Sequence, residues 1–179
     1  MIKYLFKKIF MWEIKMSADN VDTILTQWKN VRPDLDCSAM GVVGRLRRTS
    51  NSWKAKMDTV FKQHDLSSIE FDILATMRRS APTGCTPTEL YKTLMLSSGA
   101  VSTRLEKLVK DGLVERIFSE QDRRSCKVVL TEKGVSLVDA ALNDHVDNLD
   151  NMISVLTSDE QDQLAGLLRK ILIAEASEK

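Results

Sequence analysis

The residues best equipped for chemistry are cations set beside acids. Asp122, Arg123 and Arg124 fall in the polar stretch 119–125. An arginine there can enter a narrow anionic groove, and a carboxylate two residues earlier can hold its guanidinium by a charge-assisted bond. Asp72 and Arg79 are seven residues apart in an apolar helical pattern. At about 100° per residue they lie within about 20° of each other, whereas Arg78 points elsewhere. Arginine offers bidentate donors to a planar anion, and the ring of Trp28 offers a face for stacking. The structural alternatives are a surface Asp72–Arg79 pair complementing a helix C-terminus and a Trp28 that anchors helix packing. Ser97, Ser98, Ser102, Thr103, Arg104 and Lys107 follow one another on a further short helical pattern. These are small hydroxyls and long cations, suited to capping or to contacts with a polyanion.

Other chemistries lack their residues. Cys37, Cys85 and Cys126 are far apart, and His64 and His145 are the only histidines. Neither set has metal-ligand spacing, so no metal, cofactor or disulfide is expected. Gly-rich phosphate loops and the HExxH and GxSxG motifs are absent, which argues against an enzyme. The net charge is only +1, yet charge is segregated. Residues 41–62 hold Arg45, Arg47, Arg48, Lys54, Lys56 and Lys62 against the single acid Asp58, and 139–162 hold seven acids and no Lys or Arg. Separate faces for separate partners, or two solvated helix faces, would both produce this. No apolar run approaches the roughly 18 residues of a membrane span, so a cytoplasmic protein without a membrane partner is expected.

Elements that would position these residues follow from capping signals and periodicity. Asp19 or Asn20 starts a helix carrying Val21, Ile24, Leu25 and Trp28, and Pro33 ends it. A long helix from about 36 to 64 carries an apolar stripe, Ala39, Val43, Leu46, Trp53, Met57 and Val60, interrupted at Ser50. Ser67 or Ser68 caps a third helix with Ile69, Ile73 and Met77 inside. Thr86-Pro87-Thr88-Glu89 is a capping box with proline at the first helical position. Ser97 caps the next helix, with Val101, Leu105 and Leu108 on one face and Gly112 at its end. On that wheel Thr103 points away from the stripe, while Arg104 lies about 70° from its centre. Two strands, 113–118 and 126–130, flank the polar tip. A helix from 132 to about 156 follows, and Thr157 or Ser158 with Glu160 caps a last one carrying Leu164, Leu167, Leu168 and Ile171. The expected fold class is mostly α with a small β wing. It is a winged helix-turn-helix between N- and C-terminal helical dimerisation regions.

Four segments follow: 1–16, 17–64, 65–130 and 131–179. The first, apolar and basic, does not read as a signal peptide, because Lys7-Lys8 interrupt its core. It is expected to reflect a start assigned ahead of Met16, or else a short amphipathic helix. Residues 65–130 hold the helix-turn-helix and wing, and 17–64 and 131–179 are the helical segments on either side.

From about Leu35 onward the chain resembles the MarR family. The resemblance rests on Asp122-Arg123-Arg124, on Leu130-Thr131-Glu132-Lys133-Gly134, and on the block from Leu90 to Leu113. That block includes Ser97-Ser98-Gly99-Ala100 and Leu108-Val109-Lys110-Asp111-Gly112-Leu113. It implies a homodimeric repressor on a palindromic double-stranded operator, relieved by a small ligand. Arg124, oriented by Asp122 and flanked by Arg123, would enter the minor groove, and Ser97, Ser98, Ser102, Thr103 and Lys107 would meet the major groove or phosphates. A narrower likeness is to the urate-responsive, PecS- and HucR-like branch. It implies that Trp28, Asp72, Arg79 and Arg104 bind urate or a similar planar anion. The alternative is a MarR-fold regulator answering a phenolic compound or the oxidation of a cysteine such as Cys37. The helix from Cys37 to His64 lacks the tyrosines that accompany such a thiol.

Overall fold

A computed structural model describes residues 17–80, 84–118 and 126–177. The described elements are α1 (Asn20–Val31), α2 (Ser38–Gln63), α3 (Ser68–Arg79), α4 (Pro87–Leu94), α5 (Ser98–Lys110), β1 (Val114–Phe118), β2 (Cys126–Leu130), α6 (Glu132–Ile153) and α7 (Ser158–Ser177). They fall into two compact units, one of residues 17–54 with 152–177 and the other Ala55–Asn151. Among the described residues no helix is long and apolar enough to cross a membrane.

In the first unit α1 begins at a reciprocal cap. The Asp19 carboxylate accepts from the Val21 and Asp22 backbone N–H groups, and Asp22 accepts from the Asp19 N–H. Arg45 on α2 then donates to both Asp19 and Asp22, at 2.8 and 2.6 Å. Small residues let the two helices close: a Cβ at Gly41 would stand 3.3 Å from Leu25, and one at Gly44 3.6 Å from Val21. Helix α2 runs through Ser50 without interruption. A lone serine with flanking helix formers does not end a helix, because its cost is a fraction of a kcal/mol, about 0.5. Helix α7 starts at Thr157 and Glu160, which cap each other.

The second unit holds the apolar core. Phe61, Leu66, Phe71, Ile73, Leu74, Leu90, Val101, Leu105, Leu108, Val114, Val128 and Val138 are buried together. Helix α3 starts at Ser67, whose hydroxyl accepts from Glu70 N–H while Glu70 accepts in return. The Thr86–Glu89 box starts α4, and Met95, left-handed at φ 53°, ends it. Strands β1 and β2 are antiparallel, with Val114 opposite Leu130 and Phe118 opposite Cys126. A further bridge joins Cys85 to Val128 through two backbone hydrogen bonds of 3.2 and 2.8 Å.

The Leu130–Gly134 motif ties the hairpin to the end of α5. Thr131 Oγ1 donates to the Gly112 carbonyl at 2.8 Å and accepts from Gly134 N–H at 3.0 Å. Lys133 Nζ donates to the Asp111 carbonyl at 2.8 Å, satisfying an acceptor left over at the helix C-terminus. A Cβ on Gly134 would collide with the Leu113 carbonyl oxygen. The hairpin and α6 are thus registered against α5 by backbone contacts.

Candidate functional site

Helix α4, the turn through Met95 and Leu96, and helix α5 make the helix-turn-helix. Val101, Leu105 and Leu108 are buried, which turns the opposite side of α5 outward. Thr103 is exposed on that side, Ser102 is exposed on its flank, and Ser98 is exposed at the first turn of the helix. Ser97 is exposed too, but its hydroxyl accepts from Ala100 N–H at 3.3 Å as the helix cap. The hairpin after α5 presents Arg116 to solvent on β1. Asp122, Arg123 and Arg124 lie outside the described residues.

The long cations of α5 behave differently from its hydroxyls. Lys107 Nζ stands 2.9 Å from Glu70 Oε1 and 3.3 Å from Asp111 Oδ2. Arg104 Nη1 stands 3.8 Å from the same Glu70 oxygen. Glu70 is 2% exposed. Burial works to raise its pKa, but the Ser67 N–H and hydroxyl and the Lys107 ammonium outweigh it, and the net shift is downward. Lys107 is shifted upward, mainly by its bond to Glu70. Glu70 was not among the residues singled out from sequence. Its cationic partners lie more than thirty positions away.

Asp72 is exposed on α3, yet the protein around it is its largest influence and raises its pKa; His145 and Arg79 oppose that rise by their charge. His145, on α6, packs on Phe61 and Phe71 with ring centroids 5.0 and 5.2 Å apart. Burial lowers its pKa against the pull of Asp72. Asp72, Arg79 and His145 therefore form one electrostatic group, of which the histidine carried no local sequence signal. Arg79 donates to Thr76 Oγ1 at 2.9 Å, while Arg78 makes a two-bond pair with Asp139 at 2.8 and 3.0 Å. Trp28 belongs to the other unit and is 41% exposed on α1. Cys37, Cys85 and Cys126 are free thiols. Burial pushes the Cys85 thiol up to about 11, which keeps it protonated near neutrality and a poor nucleophile. Among the described residues no His/Cys/Asp/Glu group could hold a metal ion.

Comparison with known proteins agrees with this architecture. Residues 64–125 match the model of the MarR family. The chain is 38% identical over 152 residues to the HTH-type transcriptional regulator PecS of Dickeya dadantii, covering 84% of this chain and 92% of PecS. It is 32% identical over 133 residues to the multiple antibiotic resistance protein MarR of Escherichia coli, covering 73% and 90%. Among solved structures, a cysteine-to-serine mutant of E. coli MarR complexed with operator DNA superposes with a TM-score of 0.65 at 26% identity, covering 81% of this chain and 97% of that one. The Staphylococcus aureus MepR–DNA complex superposes with a TM-score of 0.66 at 25% identity, covering 78% and 98%. These relatives are transcriptional regulators and not enzymes. With a winged helix-turn-helix whose hydroxyl-rich face is open and relatives aligned over most of its length, the chain belongs to the MarR family of DNA-binding transcriptional regulators.

Proposed function

We propose that the protein is a homodimeric repressor that binds a palindromic operator and is released by a planar anion such as urate. The observation that carries the DNA reading is the outward face of α5. Thr103 stands opposite the buried Val101–Leu105–Leu108 stripe, with Ser102 exposed on the flank and Ser98 exposed at the first turn, the disposition a helix needs to enter a major groove by its N-terminal part. The operator-bound structure of MarR and the DNA-bound structure of MepR support it. Arg124, oriented by Asp122 beside Arg123, is assigned to the minor groove at the hairpin tip. Arg124→Ala is expected to cost about 1–3 kcal/mol of operator affinity with dimer formation unchanged. Wild-type affinity in that variant, at matched salt, would remove the wing from the interface.

The ligand reading rests on the likeness to PecS and on the Asp72–Arg79–His145 group. Arg79 or Arg104 would neutralise the anion, and Asp72 would accept a ring N–H. An anion that releases DNA must bind the DNA-free state better, since equal affinity for both states shifts nothing. The deciding experiment is a gel shift on the DNA upstream of its own gene, with and without urate. Release by urate, with quenching of the tryptophan fluorescence, is the expected result. Retained binding at millimolar urate with no quenching rejects urate and leaves the DNA reading standing.

A further inference from the structure

The buried Glu70 has more to do than cap a helix. Its Oε2 is spent locally, accepting from Ser67 N–H at 2.8 Å and from the Ser67 hydroxyl at 2.7 Å. Its Oε1 is enclosed in protein and receives no well-directed hydrogen bond. What it meets are two cations of α5, Lys107 at 2.9 Å and Arg104 at 3.8 Å. A buried carboxylate with one oxygen still to be compensated holds such partners firmly, because losing them leaves an uncompensated charge. Lys107 and Arg104 are three residues apart, so both lie on one side of the helix.

Directed bonds from Thr131 and Lys133 hold only the end of α5, at the Gly112 and Asp111 carbonyls; the support along its length has a different character. Val101, Leu105 and Leu108 bury it against the core. Apolar burial is non-directional, so it defines the rotation of a helix less sharply than a directed contact does. One charged point contact off the apolar stripe fixes what the stripe leaves loose. It also turns two cations toward α3 that would otherwise be free to attract any phosphate backbone. Phosphate attraction alone carries no sequence information, and base contacts require a set helix pose.

We propose that Glu70 is a positioning residue for DNA recognition: by holding Lys107 and Arg104 it sets the rotation of α5 and trades non-specific phosphate affinity for sequence specificity. Lys107 then acts mainly through Glu70 and not as a freely roaming phosphate contact. The proposal rests on the family's DNA binding and is independent of any ligand.

The test compares full-length wild type, Glu70→Gln and Lys107→Gln on two probes. One is the duplex that the wild type enriches from a random-sequence library; the other is poly(dI-dC). Glutamine can still accept from Ser67, so the α3 cap survives while both cations lose the buried carboxylate, Lys107 keeping only the exposed Asp111. For Glu70→Gln the affinity ratio between the two probes should fall about tenfold, the scale of one mismatched base pair. Its salt dependence on poly(dI-dC) should steepen by about 0.9 for each cation that reaches a phosphate. Lys107→Gln should lower the ratio without steepening the salt dependence. A Glu70→Gln protein with a lower melting temperature but wild-type ratio and salt slope overturns the proposal, since Glu70 would then be only a cap. Should Glu70→Gln fail to fold, Lys107→Gln decides: a wild-type ratio overturns the proposal and a reduced one supports it. A wild type that enriches no duplex overturns it together with the DNA-binding reading.

Discussion

Gly134 shows how a single residue fixes the relation between the hairpin and its supporting helix. Its Cα passes so close to the Leu113 carbonyl that a methyl group has no place, and the obstacle is backbone, which cannot rotate away. Gly134→Ala is therefore expected to lose at least about 1–3 kcal/mol, the range for overpacking, by urea denaturation. A loss below about 0.5 kcal/mol, typical of unconstrained surface sites, would mean that α6 shifts freely. Asp72 makes an opposite prediction. Its pKa is raised in the folded protein, chiefly by desolvation, so the fold holds its carboxylate less well than the unfolded chain does. That contribution is unfavourable above the folded pKa and disappears below the unfolded value of about 3.9. Asp72→Asn should raise the melting temperature near neutral pH, and the gain should vanish in acid below that value. An unchanged or lower melting temperature near neutrality would show that Asp72 is satisfied where it stands. A site that sacrifices stability is a reasonable place to look for binding.

Among the elements, α5 separates two roles that its sequence runs together. Ser97 and Ser98 are adjacent hydroxyls, but only Ser97 is engaged as the cap, bonded to Ala100 N–H. Ser97→Ala should cost about 1 kcal/mol of folding stability, the usual value for a lost N-cap. Ser98→Ala should leave stability within about 0.5 kcal/mol and weaken DNA binding. Thermal unfolding paired with operator titration distinguishes them; equal effects on both quantities would mean the two serines share one role. The hairpin is attached by Thr131, Lys133 and the Cys85–Val128 bridge. Its register therefore depends on three separate stretches of chain, and only the two strands were visible as alternating patterns.

At the scale of the whole molecule, apolar surface remains to be covered. No residue of α7 is buried, and Leu167, Ile171, Leu172 and Ile173 are exposed. On α1 and the turn after it, Trp28, Val31 and Leu35 are exposed as well. Patches of this kind mark association surfaces, and a second copy is the proposed occupant. Sedimentation at micromolar concentration should give a dimer. Leu167→Glu with Ile171→Glu should give a monomer that has also lost operator binding, because each half-site is held by one subunit. A wild-type monomer would refute the dimer, and a charged variant that remains dimeric would place its interface elsewhere.

What the sequence determined by itself is what depends on near neighbours. The starts of α1, α3, α4, α5 and α7 lie within a residue or two of their Ser, Thr and Asp caps, since a cap is a bond to a backbone group three positions on. Strand β2 spans Cys126–Leu130, the bounds its sequence indicates, and the Val101–Leu105–Leu108 stripe is buried. A helical wheel also turns Arg104 off the stripe and toward the body of the protein. It cannot say which acid waits there, because a wheel gives angle around one axis and nothing about the neighbouring helix. The packing of α3 on α5 decided that the acid is Glu70, and that Lys107 shares it. The packing of α6 on α3 likewise brought His145 into the field of Asp72. Those pairings join residues 34 to 73 positions apart. They exist only once apolar burial has brought the helices together, which is why no local pattern announced them.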